Sequence, residues 1–89
     1  MKYVLTYHST PDFMEKVPAN IEAHRALWRT FHADKRLLMI GPFNDAPLGD
    51  AMGVFSSRAA AEEFVLLDPF VQNGIVASWT IREWREALV

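Results

Sequence analysis

Leu37-Leu38-Met39-Ile40-Gly41-Pro42 is the stretch on which the fold turns. Four large apolar residues in a row are too few for a helix, and Gly-Pro ends them abruptly. The run predicts a short strand buried on both faces. Downstream, Asn44–Asp50 holds Asn, Asp, Pro and Gly and reads as a loop. It leads to Ala51–Phe55, a third strand, in which Gly53 predicts a close backbone approach or a bulge.

Upstream, residues 2–8 are rich in aromatic and β-branched types and predict the first strand, closed by Thr10-Pro11-Asp12. Pro18 reads as the first residue of a helix, where its missing N–H costs nothing. That helix should reach about Lys35, with Glu22 early and Lys35–Arg36 at its end, both favourable to the macrodipole. On the far side, Ser56 or Ser57 caps a second helix running through Ala59-Ala60-Ala61 to about Leu67. Asp68-Pro69 stops it, because the residue before a proline is pushed out of the α region. The same pair can start a short turn, Asp68 as N-cap, that ends at Asn73-Gly74. Ile75 to Trp84 is the last strand. The order strand, helix, strand, strand, helix, strand, with right-handed crossovers, predicts one domain over residues 1–89. Its fold class is α+β, a ferredoxin-like βαββαβ sandwich with a four-stranded antiparallel sheet and both helices on one face.

The composition bears on the face that the helices leave bare. The chain has 89 residues, of which 51% are hydrophobic, 12% aromatic and 22% charged. Soluble domains average about 45–50% apolar, and one this small buries little more than half of its unfolded surface. On the last strand Ile75, Ala77, Trp79 and Ile81 alternate with Val76, Ser78, Thr80 and Trp84, so both faces carry apolar side chains. An uncovered apolar sheet drives association. The expected partner is a second copy, packed sheet to sheet as a homodimer that forms a shared α+β barrel. A smaller share of the excess should line a small-molecule cleft.

Several function classes are excluded. Without cysteine there is no disulfide framework, thiolate zinc site, iron–sulfur cluster or Cys nucleophile. A net charge of −2, with no basic cluster larger than Lys35–Arg36, argues against nucleic acid. No apolar run approaches the roughly 18 residues of a membrane span. The first eight residues are too polar for a signal peptide, so the expected location is the cytoplasm. Three scattered histidines without ligand spacing predict no metal site, and no cofactor is expected.

One residue carries chemical interest. Taking about 100° per residue on the first helix, Trp28 and Phe31 fall about 40° and 20° either side of His24, with Ile21 and Leu27 on the flanks. His24 thus lies in the middle of an apolar stripe, where its ring needs a partner. That partner could be a backbone carbonyl, in a purely structural role. A carboxylate would instead fix the tautomer and leave the second nitrogen free for proton transfer. Asp68 is the natural candidate, although Asp before Pro is also an ordinary helix cap. Asp34 is a lesser one, near a helix end where a solvated role is expected. His8 ends the first strand and reads as exposed. Ser56 and Ser57 lack nucleophile-elbow context, and Trp28, Trp79 and Phe64 read as core or interface.

Taken in order, several motifs resemble the YciI-like (YCII-related) domain family over nearly the whole chain. They are Glu22-Ala23-His24, Arg36 to Phe43 with its Gly41-Pro42, Asp68-Pro69-Phe70-Val71 with Gly74, and a last strand containing Trp79. The resemblance implies a ferredoxin-like dimeric barrel in which His24 and Asp68 meet in a cleft. One branch of the family resembles dehydrochlorinases of chlorinated hydroxyhydroquinones. On that basis the expected activity is proton transfer of a lyase, isomerase or dehydrochlorinase kind. His24 and Asp68 would be catalytic, with Gly41, Pro42 and Phe70 bordering the substrate. The Asn44–Asp50 loop is shorter than in some relatives. A non-catalytic binding module using the same cleft is the alternative, and cofactor-free oxygenase or haem-associated chemistry is a third.

Overall fold

The computed structural model describes residues 1–45 and 49–89; positions 46–48 of the expected loop lie outside the described residues. The elements are β1 (Lys2–Ser9), α1 (Phe13–Ala33), β2 (Leu37–Pro42), β3 (Ala51–Phe55), α2 (Arg58–Leu67), α3 (Pro69–Gln72) and β4 (Val76–Trp84). The strands form one antiparallel sheet in the order β2-β3-β1-β4, which is the ferredoxin-like arrangement. Leu5, Leu37 and Phe55 from the sheet meet Phe31 of α1 and Phe64 of α2 in the buried core. Phe64 sits at its middle, 5.3 Å edge-on from Phe31 and 5.3 Å from Phe55.

Helix α1 starts five residues earlier than Pro18 predicts, and Pro18 lies inside it. An interior proline removes one hydrogen bond and costs about 3 kcal/mol. The carbonyl it orphans belongs to Met14, and both residues are exposed, so water can take that bond. What offsets the cost is a longer apolar stripe. Phe13, Val17, Ile21, His24 and Trp28 follow helical spacing straight through the proline and all face the same cavity. At the other end the helix stops at Ala33. Lys35 takes a left-handed conformation, φ +61°. Its N–H reaches the His32 carbonyl at 3.0 Å and the Arg36 N–H reaches that of Phe31 at 3.0 Å. This is the Schellman closure, built without its usual glycine.

At the second helix Ser57, not Ser56, is the cap, its Oγ accepting the Ala60 N–H at 3.1 Å. Gly53 meets the expected close approach. A side chain there would lie 3.1 Å from the Phe55 ring and 3.5 Å from Leu37. The irregularity falls elsewhere, as a register shift in β2 between Leu37 and Met39.

Two expectations need correction. β2 is not buried on both faces, since Met39 is 70% exposed. It lies at the sheet edge with helices over one face only. Nor does β4 alternate cleanly. Its register slips opposite Ser9, which pairs with Val76 and not Ala77. Both Ile75 and Val76 are therefore buried. The registers put Val4, Met39, Met52 and Val54 on the open face of the sheet, beside Thr6, Ser78, Thr80 and Arg82. The apolar part of that face runs from β2 and β3 to Val4 of β1; the β4 edge is polar except for Trp84, which is 51% exposed.

Candidate active site

The site forms where three elements converge on Asp68, which closes α2 and opens α3. Its own backbone explains the placement. Pro69 forces Asp68 into an extended conformation, φ −73° and ψ 119°, and the carboxylate swings back to cap α3. Oδ1 accepts the Phe70 N–H at 3.0 Å and lies 2.8 Å from His24 Nδ1. Oδ2 accepts the Tyr7 O–H at 2.8 Å. Asp68 is fully buried, and His24 nearly so. The cap and the histidine partner, two competing readings of this aspartate, are thus one and the same carboxylate.

The network fixes the proton on His24. With the Phe70 N–H and the Tyr7 O–H both directed at it, the carboxylate acts as acceptor only, so Nδ1 must be the donor. Among the described residues Nε2 has no hydrogen-bond partner, and no buried side-chain nitrogen or oxygen is left orphaned. Nε2 therefore opens to the cavity that His24 lines. Phe70 stacks on the imidazole at 3.8 Å between centroids and 4° between planes, while Phe64 meets it edge-on at 6.3 Å. The ring is held by hydrogen bond, stack and edge together.

The cavity measures about 630 Å³ and lies between α1 and the sheet. That is ample for a substituted single ring, since ligand pockets run from about 300 to 1,000 Å³. Gly41, Pro42 and Phe70 border it, as do Leu5, Trp28 and Ile40. Its polar lining includes Arg25 and His32 but no Asp or Glu among the described residues. The other histidines have separate partners. His8 Nδ1 is 3.1 Å from Asp50 in an exposed pair, and His32 Nδ1 donates to the Leu37 carbonyl at 2.9 Å. Asp34 binds Arg36 at 2.9 Å on the surface, the solvated role expected at a helix end.

Tyr7 is the member that sequence reasoning missed. Its signal was available in the alternation of β1, which places it beside Leu5 on the core face. A buried tyrosine hydroxyl needs an acceptor, and Asp68 is the buried carboxylate within reach. Burial, and after it the Asp68 charge, push the phenol well above its ordinary range. Tyr7 is consequently a permanent donor and not a base.

Comparison with known proteins agrees with this architecture. The model of the YCII-related domain matches residues 1–85. An uncharacterised protein of Haemophilus influenzae is 27% identical over 96 residues, spanning 97% of this chain and 98% of its own. Among solved structures, 5-chloro-2-hydroxyhydroquinone dehydrochlorinase of Burkholderia phenoliruptrix, in complex with 2,5-dihydroxybenzoquinone, superposes with a TM-score of 0.79. It is 20% identical, over 98% of this chain and 96% of that one. A protein of Agrobacterium tumefaciens is similar at a TM-score of 0.59 and 14% identity, over 98% and 94% of the two chains. At such identities the structural likeness speaks for the fold. The family model covers nearly the whole length, and the chain belongs to the YCII-related domain family.

Proposed function

We propose that the chain is a small-molecule enzyme that transfers a proton in the cavity beside His24. The observation that carries the reading is the 2.8 Å contact between His24 Nδ1 and a fully buried Asp68, with Nε2 left to the cavity. Nε2 takes a proton from a hydroxyl or an activated carbon of the substrate. Asp68 holds the ring in the right tautomer and stabilises the imidazolium that forms. A base positioned this way contributes about 10²–10⁴ in rate.

The lining supports an acidic, ring-shaped substrate. It is largely apolar, and its one charged member is Arg25, which also pairs with Glu22 at 3.1 Å. The dehydrochlorinase of the same fold suggests the reaction class, dehydrochlorination of a chlorinated hydroxyhydroquinone. Such a step balances without an oxidant. A substrate proton passes to His24, a C–Cl bond breaks with its electron pair leaving on chloride, and the two products sum to HCl. Gly41, Pro42 and Phe70 would border the ring.

Chloride release from 5-chloro-2-hydroxyhydroquinone tests this. The wild-type chain should release chloride, and His24→Gln should lose at least about 100-fold while still binding 2,5-dihydroxybenzoquinone. Full activity in His24→Gln would remove His24 as the base. Tight binding of the quinone with no turnover of any halogenated phenol would favour a non-catalytic binding module.

The same reading includes a homodimer through the open sheet face. Supporting it are the exposed Met39 of β2 and, on the same face, Met52 of β3 and Val4 of β1. Sedimentation at micromolar concentration should give twice the chain mass, and Met39→Glu should halve it. A wild-type monomer would rule this arrangement out.

A further inference from the structure

Among the described residues, the hydroxyl of Tyr7 is the one group on Asp68 that comes from the sheet, and neither capping nor general-base chemistry accounts for it. Its Oη lies 2.8 Å from Asp68 Oδ2, whereas His24 and the Phe70 N–H share Oδ1. We propose that Tyr7 is a positioning residue that sets the orientation and basicity of Asp68, and through it the readiness of His24 to accept a proton. The inference rests on the proton-transfer reading above and adds a member to it.

The reasoning begins with rotation. A carboxylate capped only at Oδ1 keeps freedom about χ2, because the terminal torsion of Asp is broad. A second donor on Oδ2 removes that freedom and sets the plane in which Oδ1 faces His24. Tyr7 can hold this post because β1 is central in the sheet, paired with β3 on one side and β4 on the other. Its side chain is buried in the core with Leu5 and borders the cavity. The geometry therefore ties a helix histidine and a helix-junction aspartate to the most constrained strand of the fold.

Charge comes next. A donor on Oδ2 withdraws electron density from the carboxylate and weakens it as an acceptor toward His24. Removing the hydroxyl makes Asp68 a stronger acceptor, lengthens the N–H bond at Nδ1 and leaves the carboxylate freer to turn. Because burial and the Asp68 charge keep the phenol protonated, this moderation is constant and does not vary with pH near neutrality.

Tyr7 has no vacant role at the substrate. It lines the cavity with its ring, but its hydroxyl is already committed to Asp68. Substrate binding and turnover should thus separate on its removal. Outer-shell partners that orient metal ligands contribute about 10–100-fold, and a partner that orients Asp68 behind His24 is expected to act on the same scale.

The test uses the full chain with isotopically labelled histidine. In Tyr7→Phe, the His24 Nδ1 proton resonance should move downfield and kcat for chloride release should fall about 10–100-fold. Affinity for 2,5-dihydroxybenzoquinone should stay within about twofold. Tyr7→Phe could also unfold, so a second form keeps the native bond. Incorporating 3-fluorotyrosine in a Tyr3→Phe background strengthens the donor at position 7 alone, and the same resonance should move upfield. Opposite shifts in the two proteins establish the role. An unmoved resonance in both, with only stability reduced, would make Tyr7 a core residue and overturn the proposal. The resonance requires no turnover, so its outcome stands apart from that of the chloride assay on His24→Gln.

Discussion

Two His–Asp pairs occur among the described residues, each joined through Nδ1, and they differ in almost everything else. His24 and Asp68 lie 2.8 Å apart with side chains 11% and 0% exposed; His8 and Asp50 lie 3.1 Å apart with 47% and 29% exposed. The buried aspartate has two further donors, Tyr7 and the Phe70 amide. Among the described residues the exposed one adds only a 3.4 Å contact to the Ser9 amide. An ion pair in water is weak because solvent screens it and both side chains keep their freedom. Inside the fold the same contact fixes a tautomer, and breaking it strands every group that pointed at it. Chemistry therefore follows the surroundings of the pair and not the pair itself.

The largest contrast should appear in turnover. His24→Gln is expected to lower chloride release by about 10²–10⁴, whereas His8→Gln should change it less than about twofold. Parallel initial-rate assays on the two variants decide this. Similar losses in both would erase the distinction.

Stability should separate the aspartates next. Asp68→Ala removes a cap and leaves the Tyr7 hydroxyl and His24 Nδ1 without their acceptor. Denaturant unfolding should show a loss of about 3–5 kcal/mol, against about 0.5 kcal/mol or less for Asp50→Ala. A double-mutant cycle sharpens the comparison. The His8–Asp50 coupling should be about 0.2–0.5 kcal/mol, within the total lost by Asp50→Ala, and that of His24–Asp68 several-fold larger.

The alkaline limb of stability reads the third partner. In the unfolded chain Tyr7 ionises near its usual value of about 10. In the native state burial and Asp68 hold it protonated well above that. Above about pH 10 the native chain thus binds more protons than the unfolded one, and stability falls as pH rises. Below that pH the contribution is complete. The stability difference between wild type and Tyr7→Phe should be flat up to about pH 10. It should then shrink by at most about 1.4 kcal/mol per pH unit. A difference that stays constant to pH 11.5 would show that the phenol is not held in this way.

The smallest effect belongs to the end of α1, the helix that carries His24. Lys35 sits at φ +61°, where glycine is unstrained. Lys35→Gly should raise stability by roughly 0.5–1 kcal/mol in the same unfolding assay and leave His24 untouched.

Much of this was legible in the sequence because the signals were local. Asp68-Pro69 marked a helix stop and a helix start, and the structure uses it for both. The stripe around His24 followed from 3.6-residue spacing alone. What could not be read were outcomes of tertiary competition. Pro18 is a start signal by local rules, but burial of Phe13 and Val17 in the cavity wall extends the helix past it. The slip opposite Ser9 depends on how β4 meets β1, so period-2 alternation placed Val76 on the wrong face. Tyr7 and Asp68 are 61 positions apart, and only the assembled sheet brings them to 2.8 Å.

The central claim is that His24 carries its proton on Nδ1, toward Asp68, and offers a bare Nε2 to a ligand. Two-bond ¹⁵N–¹H correlation of the His24 ring at neutral pH, with and without 2,5-dihydroxybenzoquinone, measures this directly. A protonated Nδ1 with an Nε2 signal that moves on adding the quinone is the expected result. An Nε2–H tautomer, or an Nε2 signal indifferent to the quinone, would contradict it.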